Sequence, residues 1–303
     1  MTAKAIKTFN AAQTADLLDF PGMVEMLAQA AADYAHGEIT APERQVVAYP
    51  QGGVMLSMPA TAPDIGIHKL VNVVASNRER GLPTIHGVVT AYDGATGQER
   101  FVLDGPTVTA RRTAAVSMLG LRTLGPSAPR HAAVIGTGTQ ALGHVQALAA
   151  LYPGLCVTLI GRSIEKAQAF ARDHEDLGLP LRADASVPDD ADVVITATTS
   201  PEPVYALPPR PDRLVIGVGA YRADLAEIAP ATLEGSQLYV DDLAGAKHEA
   251  GDYIQAGVDW RAVRALIHAL ENGAGTAGAR VFKTVGCAAW DLAAARCALR
   301  KIK

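Results

Sequence analysis

The sequence predicts an α/β chain in which a doubly wound parallel sheet follows a separate α+β domain. Three observations predict it. The apolar run His131-Ala-Ala-Val-Ile135 is joined to an amphipathic run starting near His144 by Gly136-Thr137-Gly138-Thr139-Gln140-Ala141, a strand–GxGxxA–helix arrangement. From residue 131 onward, apolar strand candidates alternate with helical stretches, the pattern of a parallel sheet covered on both faces. About 130 residues precede the motif, enough for a domain of their own.

The elements of the first domain come in order. Leu17, Leu18, Met23, Met26, Leu27 and Ala31 recur at helical spacing, so 13–38 is expected to be a helix. Pro42 and Pro50 punctuate the next stretch, and 45–49 and 53–58 are expected as short strands around a Gln-Gly-Gly turn. Residues 65–74 and 84–92 alternate or run apolar, with Asp93-Gly94 and Thr96-Gly97 as turn signals, and 101–104 adds a strand. Residues 109–121 return to helical spacing, with Arg111-Arg112 opening that helix. An antiparallel sheet in an α+β domain results.

Gly125-Pro-Ser-Ala-Pro129 is the expected hinge. Strands are then expected at 132–135, 157–160, 192–196, 214–218 and 238–240, with a loop at 272–279 and a final helix starting near Gly286. The domains are therefore set at 1–124 with 288–303, for substrate binding and dimerisation, and 125–287, for the dinucleotide.

Composition narrows the class. Apolar residues make up 49% and charged ones 19%, as in a soluble enzyme with a large core. A net charge of −4 argues against a nucleic-acid partner, and no apolar run approaches membrane-span length. The start, MTAKAIKTFNAAQ, lacks the apolar core of a signal peptide. Cys156, Cys287 and Cys297 show no C-x-x-C spacing and are expected to be reduced, in a cytoplasmic protein. The eight histidines form no ligand pair, so no metal site is expected.

The chemistry starts at the glycine turn. Gly136 makes the tight turn, Gly138 lets backbone approach a pyrophosphate, and Ala141 lets helix and strand pack closely. Thr139 and Gln140 open the helix, whose free N–H groups and dipole favour the anion. An NAD site usually carries an acid at the end of the second strand. Here that end reads Ile160-Gly161-Arg162-Ser163. Arg162 and Ser163 suit a 2′-phosphate, which favours NADP(H) over NAD(H), though NAD(H) stays open. Ser163 is equally a good N-cap for the next helix.

Three cations stand out in the first domain. Lys69 lies in the apolar run IGIHKLVNVV, where a lysine is costly unless paired or functional. Arg112 and Arg44 lie at element starts. Together they suit a substrate carboxylate, whereas each alone reads equally well as a surface ion pair.

At these residues the chain resembles the ornithine cyclodeaminase/mu-crystallin family. The likeness runs through HKLVNVVASNRERGLPTIHGVVTAYDGATGQERFVLDGPTVTARRTAAVSMLGL, VIGTGTQALGHVQAL, VDDLAGAKHEAGD and VFKTVGCAAWDLAAA. The resemblance implies a homodimer built through the first domain's sheet, a Rossmann domain for NAD(H) or NADP(H), and small α-amino, α-keto or α-imino acid substrates. By position it implies that Arg44, Lys69 and Arg112 hold the substrate carboxylate and that Thr84 lies near the substrate pocket. It implies that Gly136, Gly138, Thr139 and Gln140 form the pyrophosphate turn, and that Val218-Gly219-Ala220 passes the nicotinamide.

One departure from the family pattern matters. Cyclodeaminases carry Gly-Gly-Asp in that last loop, and here the acidic position reads Tyr221. Tyr221 either lines the pocket or packs at a strand end. Without the acid, the resemblance points to the ketimine reductase side: reduction of cyclic α-imino acids such as Δ1-pyrroline-2-carboxylate or Δ1-piperideine-2-carboxylate. Ornithine cyclodeamination, alanine-dehydrogenase-like reductive amination and a cofactor-loaded binding protein are the alternatives.

Overall fold

The computed structural model describes residues 6–275 and 278–302. Residues 276–277, inside the loop expected at 272–279, and the first five residues of the N-terminal stretch lie outside them. The chain divides into two compact units, one of Met1–Arg112 with Cys287–Lys303, the other of Thr113–Gly286.

The first unit holds β1 (Lys7–Thr8), α1 (Ala11–Leu17), α2 (Phe20–Ala35), β2 (Gln45–Ala48), β3 (Val54–Thr61), β4 (Ile65–Val73), β5 (Ile85–Asp93) and β6 (Glu99–Asp104). The six-stranded sheet runs β1-β6-β5-β4-β3-β2, antiparallel except where β1 joins β6. Strand alternation sorts β4 cleanly. Ile67, Lys69 and Val71 point into the core, and His68, Leu70 and Asn72 toward the other face. The C-terminal helix Ala288–Lys301 packs on the core face with α2. It is buried along most of its length, which its small alanines permit.

Two helices differ from expectation. The run 13–38 breaks at Leu18–Asp19, because Asp19 adopts an extended backbone and its carboxylate accepts from the Gly22 N–H at 2.8 Å. Pro21 then falls in the first turn of α2, where no N–H is missed. The helix α3 spans Gly105–Leu124 rather than 109–121, and Asp104 accepts from the Thr107 N–H at 2.8 Å at its head. Arg111 and Arg112 therefore lie past its first turn, where the helix dipole no longer makes a cation costly. The unit boundary falls inside α3, after Arg112, rather than at the Gly/Pro stretch 125–129.

The second unit continues with β7 (His131–Ile135), α4 (Thr139–Leu151), β8 (Cys156–Ile160), α5 (Ile164–Asp173), β9 (Leu181–Asp184), β10 (Val193–Thr196) and β11 (Leu214–Gly217). Next come α6 (Pro230–Leu233), β12 (Gln237–Val240), α7 (Leu243–Glu249), α8 (Gly251–Gln255), β13 (Arg264–Ala265), α9 (Leu266–Asn272) and β14 (Arg280–Lys283). The C-terminal helix is then α10 (Ala288–Lys301). All eight strands are parallel, in the order β13-β12-β14-β11-β10-β7-β8-β9. This is the doubly wound Rossmann arrangement, with strand order reversing beside β7. Strands β9, β13 and β14 were not expected. Their apolar runs are too short to stand out, and β14 slots between β12 and β11. Among the described residues, no helix is long and apolar enough to cross a membrane.

Close packing of α3 on this sheet depends on one missing side chain. A Cβ on Gly120 would lie 2.4 Å from the ring of Phe282, which is fully buried on β14. Gly120→Ala is therefore expected to destabilise the protein by about 1–3 kcal/mol in denaturant unfolding. Adding Phe282→Leu should recover part of that loss, whereas a purely additive double mutant would disprove the clash.

Candidate functional site

In the first unit, three elements bring charge to one buried point. Lys69 stands at the centre of β4, paired with Met58 on β3 and Val89 on β5. Its Nζ lies 3.0 Å from Oδ1 of Asp291 on α10. Arg112 on α3 brings its Nε to 3.4 Å from the same oxygen, within ion-pair reach but without a well-formed hydrogen bond. Lys69 and Arg112 are buried, and Asp291 is fully so. Two buried cations thus share one carboxylate oxygen, leaving a positive charge in excess, and Asp291 Oδ2 accepts no hydrogen bond among the described residues.

Arg44 joins by register. Gln45 pairs with Ser57, which sets Arg44 level with Met58 and so with Lys69. Its charge acts on Lys69. Burial pushes the Lys69 ammonium down to about 8. The Asp291 carboxylate opposes that fall, while Arg112 and Arg44 reinforce it. An anion entering here meets unspent positive charge and N–H donors, a setting suited to a carboxylate.

Not every candidate joins the cluster. Thr84 is half-buried, and its carbonyl accepts from the N–H of Val74, just past the end of β4 and away from Lys69. Arg111 stacks over the Phe20 ring at 4.7 Å and donates to the Leu18 carbonyl, a role within the fold.

In the second unit, the glycine turn has the shape a dinucleotide requires. Gly136 has φ of +127°, and a Cβ there would come within 2.6 Å of the Ala197 carbonyl oxygen. Gly138 caps α4 with no side-chain hydrogen bond, and nothing lies within 4 Å of the place its Cβ would occupy. The first N–H groups of α4, from Thr139 and Gln140 onward, are thus left for a phosphate. The helix is fixed by His144. Burial lowers its pKa to about 4, so the neutral ring donates from Nδ1 to the Gln140 carbonyl and accepts at Nε2 from Ser117.

Arg162 is exposed just past β8, and Ser163 is the N-cap of α5. No side-chain cap bond is made there, and the Ser163 hydroxyl instead bonds Glu165. Val218 is buried just past β11, and Tyr221 is 37% exposed two residues after Gly219. Asp224, the nearest acid after Tyr221, is tied to Arg222 by bonds of 2.9 and 2.7 Å.

Several buried acids are not marked by the sequence, Asp291 and Glu227 foremost among them. Asp291 is the single charge among the buried residues of an alanine-rich helix, and that isolation was the available signal. Glu227 is fully buried in an irregular segment between β11 and α6, where no periodicity marks it.

Comparison with known proteins agrees with this architecture. The family model for the ornithine cyclodeaminase/mu-crystallin family matches residues 4–303. A Δ1-pyrroline-2-carboxylate/Δ1-piperideine-2-carboxylate reductase of Azospirillum brasilense is 54% identical over 302 residues, 98% of this chain and 97% of that protein. A Δ1-pyrroline-2-carboxylate reductase of Burkholderia ambifaria is 53% identical, with the same coverage. The solved structure of the Thermococcus litoralis Δ1-pyrroline-2-carboxylate reductase, in complex with NADH and L-proline, superposes with a TM-score of 0.87 at 23% identity, covering 98% of this chain and 97% of that one. The chain belongs to the ornithine cyclodeaminase/mu-crystallin family.

Proposed function

We propose that this protein is an NAD(P)H-dependent reductase that converts cyclic α-imino acids, Δ1-pyrroline-2-carboxylate or Δ1-piperideine-2-carboxylate, to L-amino acids. The observation that carries this reading is the buried pair of cations, Lys69 and Arg112, on the single carboxylate of Asp291. The identity of this chain to reductases of these imines, above half over nearly its whole length, supports it.

A nicotinamide cofactor, held at its pyrophosphate by the turn from Gly136 to Gln140, would supply hydride chemistry for reduction of the C=N bond. Arg112 and Arg44 hold the substrate carboxylate. Lys69 in its ammonium form bonds the carboxylate or protonates the imine nitrogen, so that hydride and proton together give the amine. Placement of charge contributes most of the rate, because a protonated imine is already electrophilic. Tyr221 stands where a cyclodeaminase carries its acid, and the carboxylate of Asp224 is engaged by Arg222. Nothing in that loop therefore serves a second amino group.

The preferred cofactor is NADP(H), on the strength of exposed Arg162 beside half-buried Ser163 past β8 and of the lack of an acid at the end of that strand. Cys156, Cys287 and Cys297 form no disulfide among the described residues, which suits the reducing cytoplasm. A homodimer is supported by the outer face of the first sheet, where Val88 is 42% exposed beside half-buried Leu70, and edge strand β2 leaves Val46 and Val47 exposed.

The direct test is cofactor oxidation with both cyclic imines. NADPH should be consumed rapidly, with kcat/KM above that for NADH, and ornithine with NAD+ should release no ammonia. Proline and ammonia from ornithine would sink the reading, as would turnover of pyruvate with ammonia in place of the imines. Lys69→Met is expected to lower kcat by about 10²–10⁴-fold while leaving the Kd for NADPH unchanged. A third result concerns pH. The active ammonium of Lys69 is lost as pH rises through about 8. Asp291 holds that value up against burial, Arg112 and Arg44, so Asp291→Asn should move the alkaline limb of kcat/KM to lower pH. A limb that stays in place would remove Lys69 as its source.

A further inference from the structure

The dinucleotide has two halves, and the second unit shows where each must go. The glycine turn after β7 takes the pyrophosphate, and Arg162 and Ser163 past β8 take the adenosine half. The nicotinamide half then lies across the ends of the strands on the other side of β7, which are β10 and β11. The turns after these strands stack closely. A Cβ on Gly136 would lie 2.6 Å from the Ala197 oxygen, and one on Gly219 would lie 1.7 Å from the Thr198 oxygen. Backbone this tight keeps its shape only if its N–H groups are satisfied in place.

One side chain satisfies them. Glu227 Oε1 accepts from the Thr198 N–H at 2.6 Å and from the Thr198 hydroxyl at 2.8 Å. Its Oε2 accepts from the N–H of Gly219 at 2.5 Å and of Ala220 at 3.1 Å. One oxygen is thus committed to the turn after β10 and the other to the turn after β11. Glu227 is itself anchored. Asp252 Oδ1 accepts from the N–H of Glu227 at 2.5 Å and of Ile228 at 2.8 Å, and its Oδ2 lies 2.9 Å from Lys283 Nζ on β14. That last pair is close but poorly aligned for a hydrogen bond.

We infer that Glu227 is a positioning residue for hydride transfer: its carboxylate clamps the two turns that line the nicotinamide half of the cofactor site. The inference rests on the reductase reading above. It asks for a carboxylate specifically, since four donors meet two acceptor oxygens. An amide has one acceptor oxygen and an NH2 that would face donors, so whichever way it turns, one of the two turns loses its acceptor.

The test compares wild type, Glu227→Gln and the isosteric Thr198→Val, which removes the hydroxyl's bond to Glu227 and a long bond of 3.3 Å that it accepts from the Ser200 N–H, and leaves the Thr198 N–H on Glu227. In hydrogen exchange on the cofactor-free protein, Glu227→Gln should speed exchange at Thr198, Gly219 and Ala220 and leave the β7–α4 turn unchanged. NADPH binding, followed by fluorescence, should weaken less than kcat falls. The fall in kcat should be about tenfold to a hundredfold, the scale of a misplaced reacting pair. The isotope effect with NADPH deuterated at the transferred position should rise. Thr198→Val should move the same readouts in the same direction by less, and it carries the test alone if Glu227→Gln does not fold. A merely structural role would reduce the amount of active protein and leave the isotope effect where it was, which overturns the clamp. Wild-type affinity and isotope effect in the folded variants would also overturn it. Failure of the wild-type protein to bind either NADPH or NADH would instead sink the reductase reading, with the exchange data still reporting on the clamp.

Discussion

The first unit is organised around the ion pair between Lys69 and Asp291. A lysine in the middle strand of a sheet, facing a core of Ile67, Val71 and Val89, is tolerated only with a counter-charge in place. The fold meets that demand with α10, a helix small enough in its side chains to lie against α2, β3 and β4 and carry one acid to the right depth. The arrangement is deliberately short of neutrality. Arg112 draws on the same oxygen, so the carboxylate is shared and the site keeps an appetite for a further anion.

The second unit uses its buried acids differently. Glu227 and Asp241 accept mainly from backbone N–H groups just past the ends of strands, and Asp252 accepts from the N–H groups of Glu227 and Ile228. Asp241 accepts from Asp242, Val285 and Gly286, much as Glu227 accepts from Thr198, Gly219 and Ala220. These carboxylates replace the regular hydrogen bonds that a strand gives up when it turns, and they do so where ligands bind in folds of this kind. Acids that would look like catalytic candidates by burial alone are here engaged in shaping loops.

Much of this was legible in the sequence, for definite reasons. The glycine turn was legible because φ of +127° at Gly136 and the bare cap at Gly138 demand particular residues. Lys69 and Arg112 were legible as charges that an apolar setting makes conspicuous. Asp291 was not, because a lone acid in an alanine-rich helix equally suits a solvent face until the neighbouring strands are known. The start of α3 differs because the helical spacing of apolar residues is evident only from Thr109, whereas Asp104 accepts from the Thr107 N–H at the head of a helix that begins at Gly105. The position of β14 between β12 and β11 follows from a crossover, and no local pattern records which strand will be a neighbour.

The two partners of the central ion pair are separated by 222 positions in the chain. The ribosome therefore releases β4, with its lysine, long before it makes α10. Until then the first unit holds a cation meant for the interior and no acid to receive it, so the early segment cannot close into its native core. The whole second unit is synthesised in that interval. Completion of the charged cluster thereby waits for the synthesis of α10, and a nascent or truncated product lacking α10 has no Asp291 to receive the Lys69 ammonium.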